Sequence, residues 1–182
     1  MTGSPTAETH GTSAPSPWVR RFADLLPAGG RVLDLACGKG RHSRFLLAAG
    51  HPVTAVDIDV SGLADLAGDA RLEVLDTDLE TGAAFPLAGR RFAGVVVTNY
   101  LHRPLLPALV AAVDDGGLLI YETFARGNEA FGRPSNPDFL LAPGELLRAV
   151  EGRLRVLAYE DLVVDTPRPA AIQRICARRE TV

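Results

Sequence analysis

The run from Val32 to Ser43 concentrates the residues of this chain most able to hold a charged ligand. It carries Asp34, then Gly38 and Gly40, then Arg41, His42 and Ser43. Apolar residues precede the glycines and helix formers follow them, so the run reads as strand, tight turn and helix. Residues without a Cβ let the backbone approach a ligand closely at such a turn. An acid at the strand end accepts hydrogen bonds from an ammonium group. A pyrophosphate on the helix N-terminus is the alternative occupant.

Three features separate the two ligands. The third glycine of a G-x-G-x-x-G pattern counted from Gly38 is Ser43, so the dinucleotide pattern is incomplete. Asp34 sets a negative charge where phosphates would lie, whereas S-adenosylmethionine (SAM) brings an ammonium and a sulfonium. The last two predicted strands must also form an antiparallel hairpin, unlike the all-parallel dinucleotide order. Asp57 ends the next strand about 20 residues on, the spacing expected of an acid that holds ribose hydroxyls. Asp78 follows a third strand and can accept from an adenine amino group. Asp59 and Asp76 have simpler roles as loop or capping acids.

A second constellation, Thr98-Asn99-Tyr100-Leu101-His102-Arg103-Pro104, follows the strand Phe92–Thr98. Ligands in open α/β sheets bind beyond the carboxyl ends of the strands. Asn99 and Tyr100 are therefore expected along the reaction path, and His102 is the candidate general base. His102 and Arg103 could equally serve only to bond backbone at a helix start. A third stretch, Glu122–Asp138, reads as a long polar and aromatic loop, expected to form the acceptor pocket or a lid. A rigid surface loop held by Pro134 and Pro137 is its simpler alternative. Tyr121, Arg126, Asn128, Arg133 and Asn136 are the candidate substrate-binding residues. The two arginines can clamp an acidic acceptor or pair with Glu122 or Asp138. Cys37 lacks a dedicated histidine and reads as packing. His10 and His51 receive no functional role.

The elements that must position these residues are legible from periodicity. A short helix spans Trp18 to Leu26. Strands are expected at 31–35, 52–57, 72–75, 92–98 and 118–121, the fourth apolar enough to be buried on both faces. Helices are expected over 41–49, over 61–66 with Ser61 as cap, over 104–113, and over 143–150. Asp114–Gly117 reads as a helix stop. Residues 154–164 and 171–177 are strands separated by too few residues for a crossover, so they pair antiparallel. The fold class is a Rossmann-like three-layer α/β sandwich with a seven-stranded, mostly parallel sheet and an antiparallel last strand.

With 182 residues, 47% hydrophobic and 23% charged, the chain suits one domain with a substantial core. Residues 1–17 read as a disordered tail and 18–182 as the domain. A net charge of −3 offers no broad attraction to nucleic acid or anionic membrane. Two cysteines supply neither a disulfide framework nor a zinc set, and no metal site is expected. The absence of a basic start followed by an apolar run argues against a signal peptide, so a cytoplasmic protein is expected.

From about Trp18 to Arg178 the sequence resembles the class I SAM-dependent methyltransferases. The resemblance rests on the D-x-x-C-G-x-G loop, the acid closing the second strand and the acid after the third. It implies that Asp34, Ala36, Cys37, Gly38 and Gly40 hold the methionine part, Asp57 with Ile58 the ribose side, and Asp78 with Leu79 the adenine, with Asn99 touching the cofactor. Ala36 stands where the family often has glycine, and Ala93 where it often has aspartate. The size and the Gly38–Ser43 stretch are similar to small tellurite-resistance and thiol methyltransferases. The implied activity is methyl transfer to a small-molecule acceptor. RNA or protein methylation, NAD-dependent reduction and non-catalytic SAM binding are the competing readings.

Overall fold

The computed structural model describes residues 14–181. Seven strands form one sheet in the order β3-β2-β1-β4-β5-β7-β6. In chain order these are β1 (Val32–Leu35), β2 (Val53–Asp57), β3 (Leu72–Asp76), β4 (Phe92–Thr98), β5 (Val113–Phe124), β6 (Arg155–Val164) and β7 (Ala170–Arg178). The first five pair in parallel, and β7 runs antiparallel to both β5 and β6. The expected seven-stranded sheet with an antiparallel last strand is observed. Five residues separate β6 from β7, which permits only a hairpin.

Every residue of β1 and β4 is buried, as expected for central parallel strands covered on both faces. One face packs α3 (Leu106–Ala111) and α4 (Glu145–Val150) through Leu109, Val110, Leu146 and Val150. The other packs α1 (Pro17–Ala23) and α2 (Arg41–Ala48) through Trp18, Val19, Phe22, Leu46 and Leu47. The order reverses between β1 and β4, placing the switch point of the sheet there.

Three expected boundaries move. The helix over 104–113 is a one-turn 3-10 helix, Arg103–Leu105, continued by α3, and Val113 already belongs to β5. Asp114–Gly117 is accordingly no helix stop: it is a bulge inside β5, where the register jumps from Phe92↔Val113 to Gly94↔Leu118. A Cβ on Gly117 would lie 2.8 Å from the Asp114 carbonyl oxygen and 3.0 Å from those of Phe92 and Ala93, so the bulge closes only over glycine. β5 also runs on to Phe124, shortening the expected loop. Ser61 does not cap the 3-10 helix Ser61–Leu66; Asp59 accepts its N–H instead.

The tail expected over 1–17 falls mostly outside the described residues, but Ser16 and Pro17 are built into the fold. The Ser16 hydroxyl caps α1 by accepting from the N–H groups of Trp18 and Val19, and Pro17 opens the helix. Trp18 is 1% exposed, donates its indole N–H to the Ile175 carbonyl on β7, and meets Phe22 edge to face at 4.7 Å. Because Trp18 is the largest side chain that α1 buries against the sheet, Trp18→Ala should cost about 3–5 kcal/mol. Equilibrium urea unfolding checks this; a loss under about 1 kcal/mol would show that α1 is not integral to the core.

Candidate active site

The strand ends on either side of the switch point carry an unusual backbone. Ala36 after β1 and Asn99 after β4 both adopt left-handed conformations, with φ of 52° and 55°. β1 and β4 are paired neighbours, so the two turns leave the same edge side by side. Such geometry costs a residue with a Cβ about 1–2 kcal/mol and is held by its surroundings. The Asn99 N–H donates to the Glu122 carbonyl at 2.9 Å, and the Cys37 N–H to the Val56 carbonyl at 3.1 Å.

From the first of these turns a row of acids runs along the ends of β1, β2 and β3. Asp34 is 1% exposed, and its Oδ2 accepts the Ser43 hydroxyl at 2.6 Å. Burial pushes its carboxyl up to about 6, against the lowering effect of the Ser43 hydrogen bond and nearby Arg41. Asp57 accepts the Gly38 N–H at 2.7 Å and the Asp59 N–H at 3.1 Å, which fixes the glycine turn against the end of β2. Gly38 is open on its outer side, with nothing within 4 Å of a would-be Cβ. Gly40 is not: a Cβ there would lie 2.1 Å from Leu63. Ile58, 65% exposed beside Asp57, is an apolar ledge at the same edge.

Asp78 is exposed and accepts the Glu80 N–H at 2.8 Å. With Leu79 it lines a cavity of about 400 Å³ closed by Ala83, Phe85, Pro86 and Leu105. The Tyr100 hydroxyl is buried and makes no hydrogen bond of ordinary geometry among the described residues, although the Glu80 carboxylate lies beside it. Burial, reinforced by Glu80, Asp78 and Asp57, holds that phenol well above its ordinary range, so it stays protonated and can donate. A buried donor left unpaired is costly unless a ligand satisfies it. Acids at Asp34, Asp57 and Asp78, a neutral donor at Tyr100 and an apolar ledge at Ile58 fit a ligand with a cationic end and a ribose-like middle. They do not fit a pyrophosphate.

His42, to which sequence reasoning assigned no role, is a key packing residue. It is 2% exposed; its Nε2 accepts the Ser16 N–H at 3.0 Å and its Nδ1 lies 3.4 Å from the Thr98 hydroxyl. Burial, then Arg41, pushes the ring down to about 3, so it is neutral and its proton sits on Nδ1. Ser16 also donates its hydroxyl to Glu122 at 2.7 Å, and Arg174 donates to the other Glu122 oxygen at 3.1 Å. Position in the first turn of α2, one residue before Ser43, was the only signal available for His42.

The acceptor-side candidates divide. Tyr121 is not at a pocket wall: it is 1% exposed, and its hydroxyl donates to the Tyr100 carbonyl at 2.8 Å. Its place on a central strand, facing the core, explains this. Asn128 is likewise spent on structure, donating to the Pro134 carbonyl at 2.9 Å and accepting the Ala171 N–H at 3.2 Å. Asn136 caps the one-turn helix Pro137–Phe139 by accepting the Asp138 N–H. Arg126 and Arg133 remain exposed, and neither pairs with Glu122 or Asp138. Arg103 instead ties the loop down, donating to both Glu145 oxygens and to the carbonyls of Asp138 and Leu140. His102 is half-buried at the cap position before the 3-10 turn, and its side chain makes no cap bond there. Cys37 is buried with its thiol pushed up to about 12 by burial and then Asp34, which keeps it from acting as a thiolate. His51 bonds the Gly30 carbonyl, and His10 lies outside the described residues.

A parallel sheet with a glycine turn at its switch point and an antiparallel closing hairpin is a Rossmann-like fold of the kind seen in methyltransferases. Residues 32–115 match the model of the methyltransferase domain family. A ubiquinone biosynthesis O-methyltransferase of Aromatoleum aromaticum is 31% identical over 126 residues, 63% of this chain and 51% of that protein. The chain thus spans about half the length of that curated relative. Among solved structures, TehB from Haemophilus influenzae superposes with a TM-score of 0.75 at 19% identity, covering 96% of this chain and 65% of that one. The 1,6-didemethyltoxoflavin-N1-methyltransferase of Burkholderia thailandensis, with its substrate and S-adenosylhomocysteine bound, gives 0.62 at 18% identity over 91% of this chain and 79% of that one. Residues 32–115 thus match a methyltransferase domain, and the described residues share the fold of these solved methyltransferases. No helix among the described residues is long and apolar enough to cross a membrane.

Two stability measurements test the strain and the buried acid. Ala36→Gly should raise stability by about 1 kcal/mol, because glycine adopts the left-handed turn without its steric cost. Asp34→Asn keeps the shape and removes the charge. The folded value of about 6 lies above the ordinary 3.8, so stability is greatest below pH 4 and falls as pH rises through 6. Asp34→Asn should therefore stabilise the ligand-free protein by about 2–3 kcal/mol at pH 7.5, and by close to nothing at pH 4. Thermal unfolding across that range reads both effects; a pH-independent difference would show that Asp34 is not a desolvated carboxyl.

Proposed function

We propose that this chain transfers the methyl group of SAM to a small-molecule acceptor at the edge of the sheet beyond β1 and β4. The observation that carries the reading is the row of acids, Asp34, Asp57 and Asp78, along the ends of β1, β2 and β3 beside the left-handed turns, with the buried Tyr100 hydroxyl close to them. The buried Asp34 carboxyl and the Ala36–Gly40 turn take the ammonium and carboxylate of the methionine part. Asp57 accepts from ribose hydroxyls with Ile58 beside it, Leu79 flanks the base, and Asp78 accepts from its amino group. Asn99 and Tyr100 line the path to the acceptor. This is an acceptor set for a cationic ligand, which disfavours a nicotinamide dinucleotide at the same turn.

SAM supplies a carbon already activated by its sulfonium, so the chain's own residues need only align, exclude water and handle one proton. The acceptor heteroatom forms the new bond to carbon as the bond to sulfur breaks. With a neutral hydroxyl or amine as acceptor, the displaced proton passes to His102. An acceptor that is already an anion needs no base. The O-methyltransferase and toxoflavin methyltransferase relatives support a small acceptor, as does the net negative charge.

Titration calorimetry with S-adenosylhomocysteine and with NAD tests the cofactor: the first should bind more tightly, and Asp57→Ala should weaken it about tenfold or more, as loss of a charged hydrogen-bonding partner predicts. Preference for NAD would overturn the assignment. On a verified hydroxyl or amine acceptor, His102→Ala should lower kcat by roughly 10²-fold with S-adenosylhomocysteine affinity intact. Undiminished turnover would remove His102 from the chemistry.

A further inference from the structure

Beyond the cofactor edge, the loop after β5 and the start of α4 enclose a groove of about 510 Å³ lined by Arg103, Arg126, Pro137, Asp138, Ala142, Glu145 and Arg148. Its charges are unevenly committed. Glu145 is fully engaged: both oxygens hold Arg103, and Oε2 also takes the Ala142 N–H at 2.7 Å. That partnership keeps its carboxyl below the ordinary range, against the opposing effect of burial. Arg103 in turn makes four hydrogen bonds, two of them to backbone carbonyls, and serves as a neutralised strut. Arg148 places only Nη1 on protein, on the Pro143 carbonyl at 2.9 Å. Arg126 makes no ion pair among the described residues, while its backbone N–H is pinned to the Leu141 carbonyl at 3.0 Å. Two arginines with donors to spare therefore line the groove, and Asp138 is the one acid there without an ion pair among the described residues.

We propose that this groove binds an oxyanion, the carboxylate or phosphate of the methyl acceptor, between the guanidiniums of Arg126 and Arg148. A guanidinium presents parallel N–H donors that match the two oxygens of such a group. Arg103 links the groove to the loop after β4: its neighbour is His102, the candidate base, and its hydrogen bonds to Asp138 and Leu140 fix the loop that carries Arg126. An acceptor anchored there by its anionic end would extend from the groove toward that loop. This places the acceptor among acidic metabolites and rests on the methyltransferase reading for its function, although the binding itself can be measured without it. The clamp pairs Arg126 with Arg148 of α4, so Arg133 is left outside it.

Calorimetry at low salt with citrate and inorganic pyrophosphate as probes tests the groove, on protein first shown to bind S-adenosylhomocysteine. Saturable, salt-weakened binding of at least one probe is expected, weakened fivefold or more by Arg126→Gln and by Arg148→Gln and unchanged by Arg20→Gln on α1. Asp138→Asn removes the opposing charge and should tighten it about twofold or more. Preference for citrate over pyrophosphate would assign a carboxylate, and the reverse a phosphate; either supports the site. No saturable binding by wild type, or equal binding by the Arg126→Gln/Arg148→Gln double variant, overturns it. Failure of S-adenosylhomocysteine to bind would instead strike the cofactor assignment, leaving the probe titration to judge the groove alone.

Discussion

Asp34 holds its carboxyl where water cannot reach it, in a strand paired on both sides and covered on both faces. A carboxylate there is unfavourable, and the single Ser43 hydroxyl compensates for only part of the lost hydration. The rest of the edge is arranged around that shortfall. Ser43 can reach Asp34 only because α2 begins immediately after the turn, and α2 can begin there only because Ala36, Gly38 and Gly40 all take left-handed conformations. Leu63 then presses against Gly40, leaving no room for a side chain. A cationic group arriving at the turn would restore to Asp34 the partner that folding withheld, so the cost in stability and the preference for a cation have one origin.

The same edge is buttressed by a chain of polar contacts that begins in the N-terminal helix. Ser16 accepts from the first turn of α1 while donating to both His42 and Glu122. Glu122 passes to Arg174, and Arg174 to Glu160, with the Arg174 guanidinium lying 4.7 Å from the Trp18 ring. Partly buried ion pairs of this kind add little net stability, because desolvation offsets attraction. Their value is geometric: they admit one arrangement of α1, β5 and β7. Since the Glu122 carbonyl also holds the Asn99 N–H, that arrangement sets the left-handed turn after β4.

Periodicity and turn chemistry made most of this architecture readable. Val95, Val96 and Val97 announced a central strand, and the short link between β6 and β7 required a hairpin. Asp34, the two glycines and Asp57 were readable because their roles are local, fixed by place at a strand end. Contacts between distant segments were not readable. The commitments of Tyr121 and Asn128 depend on partners at Tyr100, Pro134 and Ala171, which no pattern around either residue reveals. His42 was hidden for the same reason, its partners lying at Ser16 and Thr98. The Asp114–Gly117 bulge misled because two acids before two glycines form an equally good helix stop; only pairing with β4 distinguishes them.

The loop after β5 shows how that distinction bears on function. Its polar residues looked equivalent in sequence, but most are consumed in holding the loop. Asn128 fastens it to Pro134 and β7, Asn136 caps its second turn, and Arg103 grips it from the loop after β4. A hydrogen-bonding group already satisfied by protein gains little from a ligand, since the exchange is near neutral. The groups left with unused capacity, Tyr100 at the cofactor edge and Arg126 and Arg148 in the groove, are therefore those at which binding can be favourable. Because the loop is pinned from both sides, the backbone that carries Arg126 keeps its position before any ligand arrives. A small acceptor then loses less ordering free energy on binding than it would against a loop that had to fold over it.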